Sequence, residues 1–277
     1  MDYVRKIAHE IKTLKIQGAQ AVAEAAIKAW KRAKDKATAR KILESARPTE
    51  PMLRNVLRYL ASGKDPDSLL KQLEKDKEKI RLFGMRKIRN GYVIYTHCHS
   101  STVIAVLKEA KKRGKRFEVH VTETRPLFQG RITAKELAKV NIPVKFFIDS
   151  AMRLALKKAD LVLLGCDAIT SEGIIINKIG SALAVEIANR YDVPIYVCTH
   201  SWKFDPLTEL GFYEEIEKRP GKEIWERPPK GVEIVNYAFE QISPDLVTGV
   251  ICELGVLKPE AFFRQFEKAY PFLMVKE

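Results

Sequence analysis

A chain of 277 residues with 46% apolar and 30% charged residues has the balance of a soluble globular protein, long enough for one large domain or two modest ones. No apolar run approaches the roughly 20 residues that a membrane-spanning helix needs, so the chain is expected in the cytoplasm, away from membranes. Lys and Arg outnumber Asp and Glu by 49 to 35, but they are dispersed among acids along helical stretches such as KQLEKDKEKIR, without Arg–aromatic interleaving; the formal charge of +14 therefore suits anionic small molecules and argues against direct nucleic-acid binding.

The first 85 residues read as helices. MDYVRKIAHEIKTLKIQG is an amphipathic helix rather than a signal peptide, because it lacks an uninterrupted apolar segment. Val4, Ile7, Ile11 and Leu14 recur at spacings of three and four, and the run Ala21–Trp30 continues the pattern. SARPTEP (45–51) interrupts it with two prolines, and ASGKDPDS (61–68) interrupts it again, with Asp67 as a candidate helix cap. An N-terminal helical domain over residues 1–85 follows.

From RNGYVIYTHC onward the rhythm changes. The short apolar runs YVIY, FEVHVT, VKFFI, LVLLG and PIYVC alternate with helical stretches, which specifies an α/β domain over residues 86–277, a parallel sheet covered by helices on both faces. Right-handed crossovers gather the C-terminal ends of such strands along one edge, where ligands bind. The residues following each strand are therefore the informative ones.

After the first strand stand Thr96, His97, Cys98, His99, Ser100 and Ser101, and after the second comes TETRPLFQG (122–130). The fourth leads into GCDAITSEGIIINKIGS (165–181) and the fifth into THSWKFDP (199–206). His97 and His99 would share one face of an extended strand with Cys98 on the other, and no partner pair supplies the four ligands of a zinc site, so no metal is expected. No CxxC pair occurs among the four cysteines, and no nucleophile elbow surrounds Cys98, which leaves it a space-filling residue or a proton-transfer group. Asp167 follows a run that should be buried, where a carboxylate is costly unless paired or used, although it could also cap a following helix. Asn177 and Lys178 precede a helix beginning near Gly180 and form a candidate clamp for an anion or hydroxyl.

Together these segments resemble one family closely. It comprises the alpha, beta and delta regulatory subunits of eukaryotic translation initiation factor 2B, methylthioribose-1-phosphate isomerase and archaeal ribose-1,5-bisphosphate isomerase. The matching stretches are IKTLKIQGAQAVAEAA, SARPTEPMLRNVLRYL, THCHSSTVIAVLKEA, VTETRPLFQG, GCDAITSEGIIINKIGS and FEQISPDLVTGVICELG, in family order over nearly the whole chain. The resemblance implies a Rossmann-like second domain that dimerises, and no cofactor. It also implies that Cys98 exchanges the sugar C2 proton and that Asp167 donates a proton during ring opening. Ligand contacts would come from Gln17, Gly18 and Ala19 of the first loop, with Arg47, Gln129, Asn177 and Lys178.

Two departures bear on function. Gln17 stands where the isomerases carry an arginine, which removes a cationic fork for phosphate, and His99 stands where they tend to have asparagine. The regulatory subunits generally lose the Cys/Asp pair that this chain keeps. The loss at Gln17 places a regulatory, initiation factor 2B-like protein first, with initiation factor 2 as partner and a retained pocket for a sugar phosphate or nucleotide. The alternative is an aldose–ketose isomerase of a phosphorylated ribose.

Overall fold

The computed structural model describes residues 1–213 and 215–274, so the last three residues of the expected second domain lie outside the described residues. Five helices come first: α1 (Asp2–Lys12), α2 (Ala19–Arg32), α3 (Lys36–Ala46), α4 (Pro51–Ala61) and α5 (Pro66–Arg86). The apolar stripe of α1 buries Val4, Ile7, Ala8 and Ile11, while Leu14 lies beyond its end with φ of 58°. α2 buries Ala19, Ala23, Ala26 and Ala29 along with Val22, Ile27 and Trp30; the small side chains let its neighbours approach closely. The cap of α5 is Asp65, whose carboxylate accepts from the Ser68 N–H at 2.8 Å, and not Asp67, which instead pairs with Lys31 Nζ at 2.7 Å. Pro66 at the first helical position fixes this choice, because the cap must precede it.

The remainder contains β1 (Val93–Thr96), α6 (Ser101–Lys112), β2 (Glu118–Thr122), α7 (Gln129–Ala138), β3 (Val144–Phe147), α8 (Met152–Leu156), β4 (Leu161–Leu164), β5 (Ala168–Ile169), β6 (Ile175–Lys178), α9 (Ser181–Arg190), β7 (Ile195–Cys198), β8 (Phe239–Ile242), β9 (Gly249–Cys252), β10 (Gly255–Leu257) and α10 (Pro259–Ala269). Seven strands form one sheet in the order β10-β9-β7-β4-β1-β2-β3, parallel throughout except for β10. The period-2 alternation within each strand feeds two cores. Tyr95, Val162, Leu164, Val197 and Val250 face a core built with α1–α4, α8, α9 and α10. Ile94, Val119, Val121, Leu161, Leu163, Cys198 and Ile251 face a second core with α6, α7 and the C-terminal half of α5. Buried on both sides, the central strands carry the near-continuous apolar runs that reveal them in the sequence.

α5 is shared between the two cores. Leu69 and Leu73 belong to the first, and Ile80 belongs to the second. Gly84 presses so closely on α6 that a Cβ there would stand 2.6 Å from Val106 Cγ2. A small three-stranded sheet, β5-β6-β8, was not foreseen from the sequence; β6 pairs antiparallel with both neighbours and extends the edge that carries the site. Among the described residues, no helix is long and apolar enough to cross a membrane.

Candidate active site

The strand order dictates where a ligand should sit. From β1 the chain moves outward through β2 and β3, then returns to β4 on the opposite flank of β1 and continues through β7 and β9. The loops after β1 and β4 therefore diverge, opening a crevice at the reversal point. Cys98 follows β1 and Asp167 follows β4, so the fold itself brings the two expected residues to one crevice. At its base the two loops nearly touch: a Cβ on Gly165 would fall 2.7 Å from Ser100 Cβ.

Cys98 is not extended. β1 ends at Thr96, and Cys98 adopts φ of 65°, a left-handed conformation that costs a non-glycine residue about 1–2 kcal/mol. Two threonines hold it there. Its N–H donates to Thr124 Oγ1 at 2.9 Å, and its carbonyl accepts from Thr133 Oγ1 at 2.8 Å. The expectation that His97 and His99 share a strand face consequently fails. His97 Nε2 donates to the Ile179 carbonyl at 2.8 Å, which leaves Nδ1 to accept from the Thr122 hydroxyl at 2.7 Å. Burial lowers the His97 pKa and favours this neutral tautomer, whose ring supports the loop at Gly180 (φ 95°). His99 turns instead toward α7, with Nδ1 3.1 Å from Thr133 Oγ1 and Nε2 3.7 Å from Glu136.

Asp167 does not cap a helix. Its N–H donates to the Ile176 carbonyl, and the chain enters the β5–β6 turn. It lines a cavity of about 210 Å³ together with Cys98, Gln17, Gly18, Ala19, Arg47, Gln129, Asn177 and Lys178. All the residues expected from sequence thus converge, but some do so differently. Gln17 is exposed, and its Nε2 donates to the Leu14 carbonyl of its own loop at 2.7 Å. Asn177 is buried and donates to Ser181 Oγ at 2.9 Å, and the Lys178 ammonium lies 4.7 Å from the Phe239 ring centroid. The start of α9 is no open anion site, since Glu240 Oε1 accepts from the Ala182 N–H at 2.7 Å.

The helix start that does face the cavity is that of α6, through Ser100, Ser101 and Thr102. Helix α6 has twelve residues, and its free amides and dipole suit an anion. Sequence reading also missed Lys203, which lines the cavity and donates to the Cys166 carbonyl. Its signal was a lysine in the loop after the fifth strand. Arg219 lines the cavity too, but its charge is engaged by Glu217 at 3.2 Å and Glu223 at 2.6 Å.

Burial pushes the Cys98 thiol up to about 11, with the charge of Lys178 acting in the opposite sense. Cys98 is half-buried, whereas Cys166, Cys198 and Cys252 are fully buried. Iodoacetamide is therefore expected to label Cys98 alone in the folded protein, with a rate rising about tenfold per pH unit toward pH 11. A rate already constant across neutral pH, followed by mass spectrometry, would contradict the raised thiol.

Asp76, His200 and Glu253 place ligand-type atoms within 4.8 Å of one another beside this cavity. Their atoms are largely spent on the protein. Asp76 accepts from Gln72, Glu253 accepts from the Ser201 N–H and Tyr270, and His200 Nδ1 accepts from the Trp202 N–H. This is a hydrogen-bonded support beneath the loop that carries Lys203.

The sequence pattern of the Initiation factor 2 subunit family matches residues 8–259. The ribose 1,5-bisphosphate isomerase of Thermococcus kodakarensis is 39% identical, over 93% of this chain and 92% of its own length. That of Methanocaldococcus jannaschii is 36% identical, over 99% and 97%. Among solved structures, the translation initiation factor eIF-2B of Pyrococcus horikoshii superposes with a TM-score of 0.79 at 28% identity, covering 92% of this chain and 97% of that one.

Proposed function

The chain belongs to the Initiation factor 2 subunit family, and within it we propose that this protein is an aldose–ketose isomerase whose substrate is ribose 1,5-bisphosphate. One observation carries the proposal: Cys98 and Asp167 line the same cavity as the cations Arg47, Lys178 and Lys203. Relatives sharing over a third of its residues along nearly their whole length bear the isomerase name, which reverses the order of preference drawn from Gln17. The charge missing at Gln17 is made up elsewhere, because three lysine and arginine side chains and the start of α6 remain for a doubly phosphorylated sugar.

The chemistry follows from two proton-transfer groups. The Asp167 carboxyl donates to the ring oxygen as the bond from that oxygen to C1 breaks. The Cys98 thiolate takes the C2 proton, and the C2–H electrons become the C1–C2 double bond of an enol phosphate. The thiol then returns its proton at C1 while the Asp167 carboxylate takes the proton of the C2 hydroxyl, leaving a ketone at C2. Both groups end as they began. Lys178 favours the thiolate against the burial that opposes it, and a sugar that displaces water from the cavity strengthens that attraction.

Incubation with ribose 1,5-bisphosphate, and separately with 5-methylthioribose 1-phosphate, is expected to yield the ketose from the former, read by ³¹P NMR. Absence of turnover with both overturns the isomerase. The second reading, a regulatory protein that binds initiation factor 2, keeps the support of Gln17 turned onto its own loop. Co-purification with initiation factor 2 in the absence of turnover would favour it. In either case we expect a cytoplasmic homodimer; exposed Phe146, Ile148, Leu154 and Leu183 in the α/β part supply apolar surface for association.

A further inference from the structure

We propose that His99 is a positioning residue for Cys98: its Nδ1–H donates to Thr133, whose hydroxyl in turn holds the carbonyl of the turn that aims the thiol. The effect on catalysis rests on the isomerase reading; the direction of the two hydrogen bonds does not.

That direction follows from the donors available. A threonine hydroxyl has one proton to give. The Cys98 carbonyl can only accept, and Thr133 Oγ1 donates to it at 2.8 Å. Oγ1 can then only accept from its other neighbour, His99 Nδ1 at 3.1 Å, so the ring proton stands on Nδ1. The reverse arrangement would spend the hydroxyl proton on the imidazole and take it from the Cys98 carbonyl. His97 is the opposite case, since its Nε2 donates to the Ile179 carbonyl. The two histidines that flank the thiol thus carry their protons on different ring nitrogens. Each ties the loop to a different neighbour, His97 to the end of β2 and His99 to α7.

Helix α7 is arranged for this role. Gln129, Thr133 and Glu136 are spaced by four and then three residues, which puts them on one face of the helix. Gln129 lines the cavity, Thr133 receives His99, and Glu136 stands behind the ring, 3.7 Å from Nε2. Lys108 of α6 holds that carboxylate at 2.6 Å. Glu136 and Lys108 are the charged groups that act on the ring, and burial outweighs them and lowers the His99 pKa. A neutral ring with its proton on Nδ1 keeps the donor at neutral pH and above. The left-handed φ of 65° at Cys98 is held through its N–H and carbonyl, so whatever fixes Thr133 also fixes the direction of the thiol.

His99→Leu keeps the bulk and removes the donor. It is expected to lower kcat about tenfold with KM unchanged, because a slightly misplaced reacting group costs at least that much. His99→Asn, whose amide N–H can stand near the position of Nδ1, should restore most of the loss without moving the pH profile. Thr133→Val breaks the same chain one step nearer Cys98, so adding His99→Leu to it should cost nothing further. Additive losses, a loss carried by KM, equal losses in the leucine and asparagine variants, or an unimpaired His99→Leu overturn the proposal.

Nitrogen-15 spectra of the wild-type histidine rings at about pH 8, above the ordinary imidazole range, give an arm that needs no turnover. The His99 signals, identified by their absence from His99→Asn, should show the proton on Nδ1 and none on Nε2. The reverse tautomer overturns the proposal. If the wild type turns over neither sugar phosphate, the isomerase reading fails, while this spectrum still decides the hydrogen-bond chain.

Discussion

Cys98→Ser is expected to lower kcat for the ribose 1,5-bisphosphate reaction by about three orders of magnitude, within the range that a positioned acid–base group contributes. The expectation depends on the geometry of the backbone. The left-handed turn at Cys98 is held through its own N–H and carbonyl by Thr124 and Thr133, contacts that a serine keeps. The hydroxyl therefore stands where the thiol stood, and the variant should melt at the wild-type temperature. What changes is the acid–base group itself, because an alkoxide is far harder to form than a thiolate even in the field of Lys178. Initial rates of ketose formation by variant and wild type measure the effect. A loss smaller than tenfold would assign C2 proton transfer to another group.

Phe204→Ala should do the reverse, damaging the fold more than the chemistry. Phe204 is fully buried, with its ring centroid 4.6 Å from that of Phe266, 5.6 Å from Phe263 and 6.4 Å from Phe262. Its carbonyl accepts from Asn55 Nδ2 at 2.8 Å, which ties α4 to the loop after β7. Truncating such a ring costs about 4 kcal/mol through lost burial and the cavity left behind. Calorimetry should show a fall of roughly 10 °C in Tm. Because Lys203 is the preceding residue, KM for the sugar bisphosphate should rise as well. A destabilisation under about 1 kcal/mol would mean that α10 closes over the gap.

Much of this architecture is legible in the residues because each central strand is buried on both faces. LVLLG and PIYVC must be continuously apolar to feed both cores, and such runs are conspicuous between amphipathic helices. Cys98, Asp167, Asn177 and Lys178 are identifiable for a related reason: each stands close after a strand or at its end, where polar side chains at a sheet edge are conspicuous.

Features formed between distant segments are not legible in this way. Strand β5 has two residues, too few for a periodic signal, and its partner sheet closes only when β8 arrives some seventy positions later. Glu240 occupies the start of α9 from that same strand, so the clamp inferred at Asn177 and Lys178 lost its helix terminus to a residue no local pattern could supply. SARPTEP reads only as a break with two prolines, and nothing local in it signals that Glu50 is buried. In the sequence Gln17 stands out, because the absence of an arginine is visible there and the gathering of other cations is not. The cavity places Arg47, Lys178 and Lys203 from three separate parts of the chain around one space.

The helix α5 has a consequence for how the molecule comes apart. Because Leu69 and Leu73 are anchored in one core and Ile80 in the other, neither core can lose its order without pulling on the same rod. Helix α5 thus runs through both cores up to the boundary expected at residues 85 and 86. The helical layer and the sheet share this helix, and residues of both line the crevice. A site assembled from residue 17 to residue 203 requires that unity, since its geometry exists only while the two layers remain folded as one.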